Sequence, residues 1–448
     1  MTTNRNPQTL ETWLELLETR HPKAIDLGLE RCREVWVRMG TPRPAPSVYV
    51  VADTNGKGST VATICSVLGA LGHRHGSYTT PHLYRYNERV QLSGRPVSDK
   101  NLLDAFDAVE SARGGTSLTY FEFGTLAALW ILSRADLDYA VMEVGLGGRL
   151  DAVNLVDADC AVITAIGLDH QDYLGPDLLS IGREKAGIIR PSTPVICGEA
   201  DPPASVLETA ASLAAPVKRL GREFRAEPIA DGVDFTLGET HLALPRPALA
   251  GPHQVANMAT GLAAVLELLP DAAADLPAVR RGLRSVSLAG RFERVSGQPP
   301  VWIDVGHNPM AAQAVGRALA EAEPGRRIRC VLGMLSDKDA AAGDVIALDS
   351  KVSVDGNAFR VSEFLYAPGT GHLVAGVEEL SIPALDRVLP ELGVPLAEEL
   401  LFGKLEKGGV VRVKLEDRKL AFEYLEPPQA DPGPRKRRTK TKQPAPTR

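Results

Sequence analysis

An α/β architecture built on an open, mostly parallel sheet, with a smaller second α/β domain, is predicted by three features of the 448-residue sequence. Short apolar runs rich in β-branched residues alternate with stretches whose apolar positions follow helical spacing. Polar and glycine-bearing clusters stand directly after those runs, where an open sheet carries its site. The third feature is Val50-Val51-Ala52-Asp53-Thr54-Asn55-Gly56-Lys57-Gly58-Ser59-Thr60: a strand, then glycines around a lysine, then two hydroxyls opening a helix. That is the grammar of a phosphate cradle.

Taken in order, Leu10, Trp13, Leu14, Leu16 and Leu17 predict a helix over 8–21, and Ile25, Leu27, Leu29, Val35 and Val37 a second over 25–39. A proline-rich turn over 41–46 enters the cradle strand, and a helix follows over 59–71. The short strand at 76–78 stops at Thr79-Thr80-Pro81-His82. A helix over 99–112 leads to Thr119-Tyr120-Phe121-Glu122-Phe123 and a helical run to residue 132. Strand 139–144 ends in Gly145-Leu146-Gly147-Gly148-Arg149-Leu150-Asp151, and strand 160–166 in Gly167-Leu168-Asp169-His170. Glu184-Lys185-Ala186-Gly187 precedes strand 194–197; residues 222–244 suit short antiparallel strands, and 257–269 and 279–286 suit helices. Glycines and prolines at 290–300 mark a domain boundary. A strand over 301–305, tipped by Gly306-His307-Asn308-Pro309, opens the second unit, with a helix and a strand over 327–332 behind it. The expected domains are 1–295, 296–425 and a disordered basic tail over 426–448.

Composition narrows the class. Apolar content of 44% and charged content of 24% suit a globular protein, and the length asks for more than one domain. No run approaches the roughly 18 apolar residues of a membrane span, and the N-terminal stretch lacks the apolar core of a secretory signal, so a cytoplasmic address is expected; a monomer is a separate expectation. Cys32, Cys65, Cys160, Cys197 and Cys330 are scattered and form no CxxC pair, which argues against a disulfide framework or structural zinc. The net charge of −6 hides seven Lys or Arg and no acid over 435–448, leaving the rest at −13, 43 basic against 56 acidic residues. An acidic body with a short basic tail does not look like a nucleic-acid binder, although the tail could bind polyanions weakly.

In the cradle, Lys57 would reach terminal phosphates and Ser59 or Thr60 would sit near Mg²⁺. The spacing departs from the ordinary Walker loop: Val51 stands where that loop needs glycine, and Gly58 where it needs a hydroxyl. Glu143 ends a buried strand, so a metal, a charged partner or a raised pKa must account for it. Read alone, His170 is a hydrogen-bonded loop histidine and Lys185 an exposed helix lysine pairing with Glu184. Tyr120 and Phe121 beside Glu122 suit a flat ring carrying N–H donors; the alternative places Phe121 and Phe123 in the core.

Jointly, these motifs resemble the dihydrofolate synthase/folylpolyglutamate synthase family of the Mur ligase superfamily. The resemblance rests on Thr-Asn-Gly-Lys-Gly-Ser, Tyr-Thr-Thr-Pro-His-Leu, Leu-Thr-Tyr-Phe-Glu-Phe, Glu-Val-Gly-Leu-Gly-Gly-Arg-Leu-Asp, Ile-Gly-Leu-Asp-His and Glu-Lys-Ala-Gly-Ile in that order. Gly-Pro-His-Gln-Val-Ala-Asn, Gly-Arg-Phe-Glu, Asp-Val-Gly-His-Asn-Pro and Gly-Met-Leu-Ser-Asp-Lys-Asp continue it, over about residues 8–340. It implies a Mur-ligase-like P-loop ATPase domain followed by a Rossmann-like one. The implied activity is ATP-driven joining of L-glutamate to dihydropteroate and to folates through an acyl phosphate.

The resemblance also implies roles. Thr54, Asn55, Gly56, Lys57, Gly58 and Ser59 hold ATP phosphates, and Asn257, Arg291, Asp304 and His307 contact the nucleotide. Two Mg²⁺ sites fall to Ser59, Thr80, Glu143, His170 and Lys185, the last as a carbamate. Lys57, Glu143, His170 and Lys185 form the catalytic set. Asp26, Thr119, Tyr120, Phe121, Glu122, Leu150, Asp151 and Ala152 match the pterin or folate region. Asp53 departs from the family loop, which has glycine there, and a carboxylate beside a polyphosphate is repulsive unless it turns away or meets the metal. After residue 340 the family pattern stops, and residues 384–425 resemble the C-terminal end of a Clp-type AAA+ unfoldase without its nucleotide loop. The alternative reading is therefore a catalytically impaired folate- or nucleotide-binding protein, or a chimera.

Overall fold

The computed structural model describes residues 7–23, 25–41, 43–296, 300–306 and 308–324, and, as strands, 352–354, 357–359, 373–376, 410–416 and 419–425. Two units divide the chain, Met1–Pro324 and Gly325–Arg448.

In the first unit, helices α1 (Leu10–Arg20) and α2 (Glu30–Arg38) lead into β1 (Ser47–Ala52), α3 (Lys57–Ala70) and β2 (His75–Tyr78). Strands β3 (Val90–Leu92) and β4 (Arg95–Pro96) precede α4 (Asp99–Arg113), α5 (Tyr120–Arg134) and β5 (Tyr139–Glu143). Next come β6 (Cys160–Ile163), α6 (Gln171–Leu174), α7 (Leu178–Ala186), β7 (Val195–Cys197), α8 (Ala204–Ser212) and β8 (Val217–Arg219). These strands form one eight-stranded sheet in the order β4-β3-β2-β5-β1-β6-β7-β8, parallel from β2 to β8 and antiparallel at the β3–β4 edge.

The sequence of β1 explains its central place. Val48, Val50 and Ala52 point into one core with Ala140, Met142, Ala161 and Ile163, beneath α4, α5 and α7. Tyr49 and Val51 point into the other, with Val141 and Val162. A strand buried on both faces reads as a continuous apolar run, and each fully buried valine contributes about 2 kcal/mol of transfer free energy. The second face is covered by α3, by the antiparallel sheet of β9 (Phe224–Ile229), β10 (Gly232–Leu237) and β11 (Thr240–Leu244), and by α9 (His253–Leu268) and α10 (Leu276–Arg284). The strand order turns around β1, which leaves a crevice at the carboxyl ends of its neighbours.

The unit closes with β12 (Glu293–Ser296), antiparallel to β13 (Val301–Ile303), and α11 (Pro309–Ala322). In the second unit, β14 (Val352–Val354) pairs antiparallel with β15 (Asn357–Phe359), and β16 (Leu373–Gly376), β17 (Val410–Glu416) and β18 (Lys419–Leu425) form an antiparallel sheet. The strand expected at 327–332, most of the Clp-like stretch and the tail over 426–448 lie outside the described residues.

Helix α9 begins at His253 rather than 257, α10 at Leu276 rather than 279, the strand expected over 160–166 ends at Ile163, and the second helix is shorter than expected. The second starts at Glu30 rather than residue 25, because Arg31 reaches back to Asp26, donating to its Oδ2 at 2.8 Å and its carbonyl at 2.6 Å, and ties residues 25–28 as a loop. Among the described residues no helix is long and apolar enough to cross a membrane. Cys32, Cys65, Cys160 and Cys197 are free thiols, all but Cys65 buried; Cys330 lies outside the described residues.

Candidate active site

The chain leaves β1 at Asp53 and enters α3 at Lys57, and Gly56 makes the turn with φ of +107°. A side chain there would be strained, and its Cβ would lie 2.5 Å from Asn257 Oδ1 and 3.0 Å from Thr164 Oγ1. Gly56→Ala is therefore expected to cost about 2 kcal/mol or more, read as a lowered urea midpoint, and to displace the loop. The loop that follows β6 pins the remainder. Thr54 N–H donates to Ala165 O at 2.8 Å, Thr54 Oγ1 donates to Gly167 O at 3.0 Å, and Thr164 Oγ1 shares its one proton between Asn55 O, at 2.8 Å, and the Asp53 carboxylate. The first N–H groups of α3 have no partner within the helix, and its positive end stands at the crevice. This cradle fits a polyphosphate.

Four charged side chains meet below it. Asp53 is enclosed, its Oδ1 accepting from Lys57 Nζ at 2.6 Å and its Oδ2 from Thr164 Oγ1. Burial opposes the Lys57 charge, but Asp53 and then Glu143 outweigh it and hold the ammonium above its usual range. Glu143, at the end of β5, is 3% exposed; burial pushes its carboxyl up to about 7, with the Lys57 cation pulling the other way. Its Oε2 accepts the Thr80 N–H at 3.2 Å, which brings the β2 loop to β5.

Lys185 overturns its single-residue reading. It is 2% exposed, and its Nζ donates to the Asp53 carbonyl. Glu184 pairs instead with Arg149 at 2.8 Å, so the two neighbours on α7 face opposite ways. Burial and then the Lys57 charge push the Lys185 amine down to about 7.

His170 is in the left-handed region, with φ of 50°, at the start of α6; its N–H donates to Asp169 Oδ1 at 2.8 Å and its Nε2 lies 3.9 Å from the same oxygen. Asp169 Oδ2 accepts from Asn308 Nδ2 at 3.0 Å. The Asn308 amide also exchanges two 3.0 Å hydrogen bonds with Asn55 while its Oδ1 caps α11 through Ala311 N–H at 2.9 Å. One amide thus joins the cradle, the His170 loop and α11.

Asn257 lies against Gly56, and the Arg291 guanidinium approaches Gly58, where an added Cβ would stand 3.6 Å from its Nη2. Asp304 spends both oxygens on backbone, accepting from Phe292 N–H at 2.9 Å and Gly306 N–H at 2.6 Å. His253, lowered first by burial and then by Arg291 against the pull of Asp304, completes this corner; its buried Nδ1 has no protein partner. His307 lies outside the described residues.

The expected pterin residues form a second group. Thr119 caps α5: its Oγ1 accepts Glu122 N–H at 3.2 Å, and Glu122 Oε2 accepts Thr119 N–H at 2.7 Å. Glu122 also accepts from Arg31 at 2.8 Å, so Asp26, Arg31 and Glu122 form one chain of charge. Asp151 is buried and holds its loop, accepting from Leu146 N–H at 2.8 Å and Val153 N–H at 2.9 Å; burial raises it to about 6. Phe121 packs on Gly145, Ala152 is buried and Leu150 is half-buried, while Tyr120 stands edge-on to Tyr86 at 5.9 Å. Phe123 is core, fully enclosed.

Among the described residues no three His, Cys, Asp or Glu side chains gather to hold a metal ion. A magnesium ion at a nucleotide needs fewer, since it keeps waters and takes phosphate oxygens. Glu143, and the hydroxyls of Ser59 and Thr80, are hard oxygen donors of that kind. Sequence reasoning assigned no role to Thr164, Asp169, His253 and Asn308. Asp169, His253 and Asn308 stood inside quoted motifs, and Asn before Pro is a helix-start signal; Thr164 carried no signal.

Comparison with known proteins places the site in context. Residues 51–265 match the Mur ligase middle domain and residues 290–352 the Mur ligase, glutamate ligase domain. The dihydrofolate synthase/folylpolyglutamate synthase of Escherichia coli strain K12 is 45% identical over 347 residues, 76% of this chain and 80% of that protein. The structure of E. coli FolC in complex with DHPP and ADP superposes with a TM-score of 0.69 at 46% identity, covering 74% of this chain and 79% of its own. A bifunctional folylpolyglutamate synthase/dihydrofolate synthase with Mn, AMPPNP and L-glutamate bound gives 0.68 at 45%, covering 75% and 80%.

Proposed function

We infer, from the fact that this chain belongs to the dihydrofolate synthase/folylpolyglutamate synthase family of Mur ligases, that it joins L-glutamate to dihydropteroate and to folates at the expense of ATP. The observation that carries this reading is the meeting of Lys57, Glu143 and Lys185 below the α3 cradle. The N-terminus of α3 and Lys57 hold the phosphates, and Arg291 adds positive charge on the Gly58 side. Attack of the substrate carboxylate on the γ-phosphate gives an acyl phosphate and ADP; the glutamate amine then displaces phosphate. Lys57 and Arg291 offset charge as it gathers on the transferring group, and the enclosed crevice keeps water from the acyl phosphate.

A divalent cation, held by Glu143 with Ser59, Thr80 and His170, supplies Lewis-acid neutralisation of the phosphates when bound. An ammonium at Lys185 would repel a second cation. With its amine brought down to about 7, Lys185 could add CO₂ with loss of a proton, and the resulting carbamate anion would turn the same position into an oxygen ligand. Asn257, Asp304 and His307 serve the nucleotide, and Asp26, Thr119, Tyr120, Phe121, Glu122, Leu150, Asp151 and Ala152 the pterin side. Of these, Glu122 and Asp151 act by fixing local backbone. The protein acts as a cytoplasmic monomer, and residues 384–425 bring no activity of their own.

A second reading, a folate- or nucleotide-binding protein without turnover, is favoured by one observation: Lys57 is already paired with Asp53. ADP release in the presence of dihydropteroate, with and without L-glutamate, separates the two. The ligase reading expects release that depends on both substrates. Ligand binding without substrate-dependent release would favour the second.

A further inference from the structure

We propose that Asp53 is a built-in anion for the phosphate-binding lysine, holding Lys57 in the nucleotide-free chain and yielding it when a polyphosphate enters. The inference rests on the nucleotide-binding reading above and adds to it a residue that sets nucleotide affinity. A buried carboxylate requires a charged or hydrogen-bonded partner. The partners of the Asp53 carboxylate are the Lys57 ammonium at 2.6 Å and the Thr164 hydroxyl. Lys57 also donates to the Asp53 carbonyl at 3.2 Å, so two of its three donors go to one residue.

The geometry keeps Asp53 from leaving. Its carbonyl is held by Lys185 from α7, its Oδ2 by Thr164 after β6, and the β1 residues before it are locked between β5 and β6. Lys57, on the first turn of α3, is the partner able to move. An arriving polyphosphate therefore meets a lysine whose charge is already neutralised, beside a fixed negative charge. It gains Lys57 only by taking it from Asp53. Glu143, Arg291 and Lys185 also face Lys57, but Glu143 acts at longer range and Arg291 and Lys185 are cationic groups that oppose its charge. With Asp53 neutral, the lysine would be held only by weaker contacts, and the phosphate would gain its full attraction.

The test is titration of the full chain with ADP, with EDTA present to remove metal, and again with Mg²⁺. Asp53→Asn keeps the shape and the Thr164 contact; Asp53→Gly removes the side chain and serves if the amide variant fails to fold. Both are expected to bind metal-free ADP at least about fivefold more tightly than the natural chain. In a Lys57→Ala background the same substitution should gain at least about threefold less, since only the repulsion between Asp53 and the phosphates remains to be relieved. Unchanged or weaker metal-free binding would overturn the proposal while leaving the nucleotide-binding reading in place. So would an equal gain in both backgrounds, which would make Asp53 a simple repelling charge. Weakening seen only with Mg²⁺ would make it a metal ligand and overturn the proposal as well. If neither the natural chain nor any variant bound ADP, the proposal and the reading would fall together.

Discussion

Lys57→Ala is expected to abolish ligation and also to destabilise the ligand-free chain by about 3 kcal/mol, an unusual pairing for a catalytic-site substitution. The first effect follows from losing the cation at the transferring phosphoryl group, a loss of at least about 10³ in turnover. The second follows from Asp53. Its carboxylate stays buried and pinned by Thr164, but without the ammonium 2.6 Å away its charge is left only the longer-range Lys185 amine, itself brought down to about 7. Urea denaturation without nucleotide checks this. Asp53→Asn added to Lys57→Ala should return most of the lost stability while leaving ligation abolished. Wild-type stability in the single variant would show that the pair adds nothing to the fold.

Glu143→Gln is expected to move activity and stability in opposite directions. Activity should fall by about 10²-fold or more, because a neutral amide cannot offset a cation's charge at the phosphates. Stability should rise at neutral pH. The natural carboxyl titrates near 7 in the folded chain against 4.5 ordinarily, so between those values the folded state binds the proton that the unfolded state has released. Stability therefore falls as pH rises from 4.5 to 7, by about 3 kcal/mol, and the glutamine variant should lack that fall. Urea midpoints from pH 4 to 8 on metal-free protein read the difference directly. Parallel pH profiles for the two proteins would contradict it.

These expectations depend on contacts that sequence carried only in part. The central sheet was legible because β1, β5 and β6 are apolar runs, as strands buried on both faces must be. The cradle was legible because glycine and lysine at that spacing have few other uses. Burial of individual charges was not legible. Lys185 follows Glu184 on a short helix, and nothing in the pair says which one turns inward; the sheet beneath decides, sending Glu184 to Arg149 and Lys185 to the Asp53 carbonyl. Asp53 was visible as a departure and its danger to phosphate binding followed from charge alone, but its solution, pairing with Lys57, depended on Thr164 fixing the carboxylate from the loop after β6, 111 residues away in sequence. The stretch over 25–28 misled because its apolar spacing is helical, while Arg31 anchors Asp26 as a loop. Asn308 gained its meaning only when α11 met the cradle and Asp169 at one amide.

Labelling the carboxylate of dihydropteroate with ¹⁸O and following the label through one turnover tests the central account most directly. Activation of that carboxylate by the γ-phosphate, in the cradle of α3 and Lys57, places one labelled oxygen between carbon and phosphorus, and displacement by the glutamate amine leaves it on phosphate. The account predicts one ¹⁸O in each inorganic phosphate released, with ADP and a new amide formed in equal amounts. Unlabelled phosphate, or ADP release that proceeds without amide formation, would contradict it.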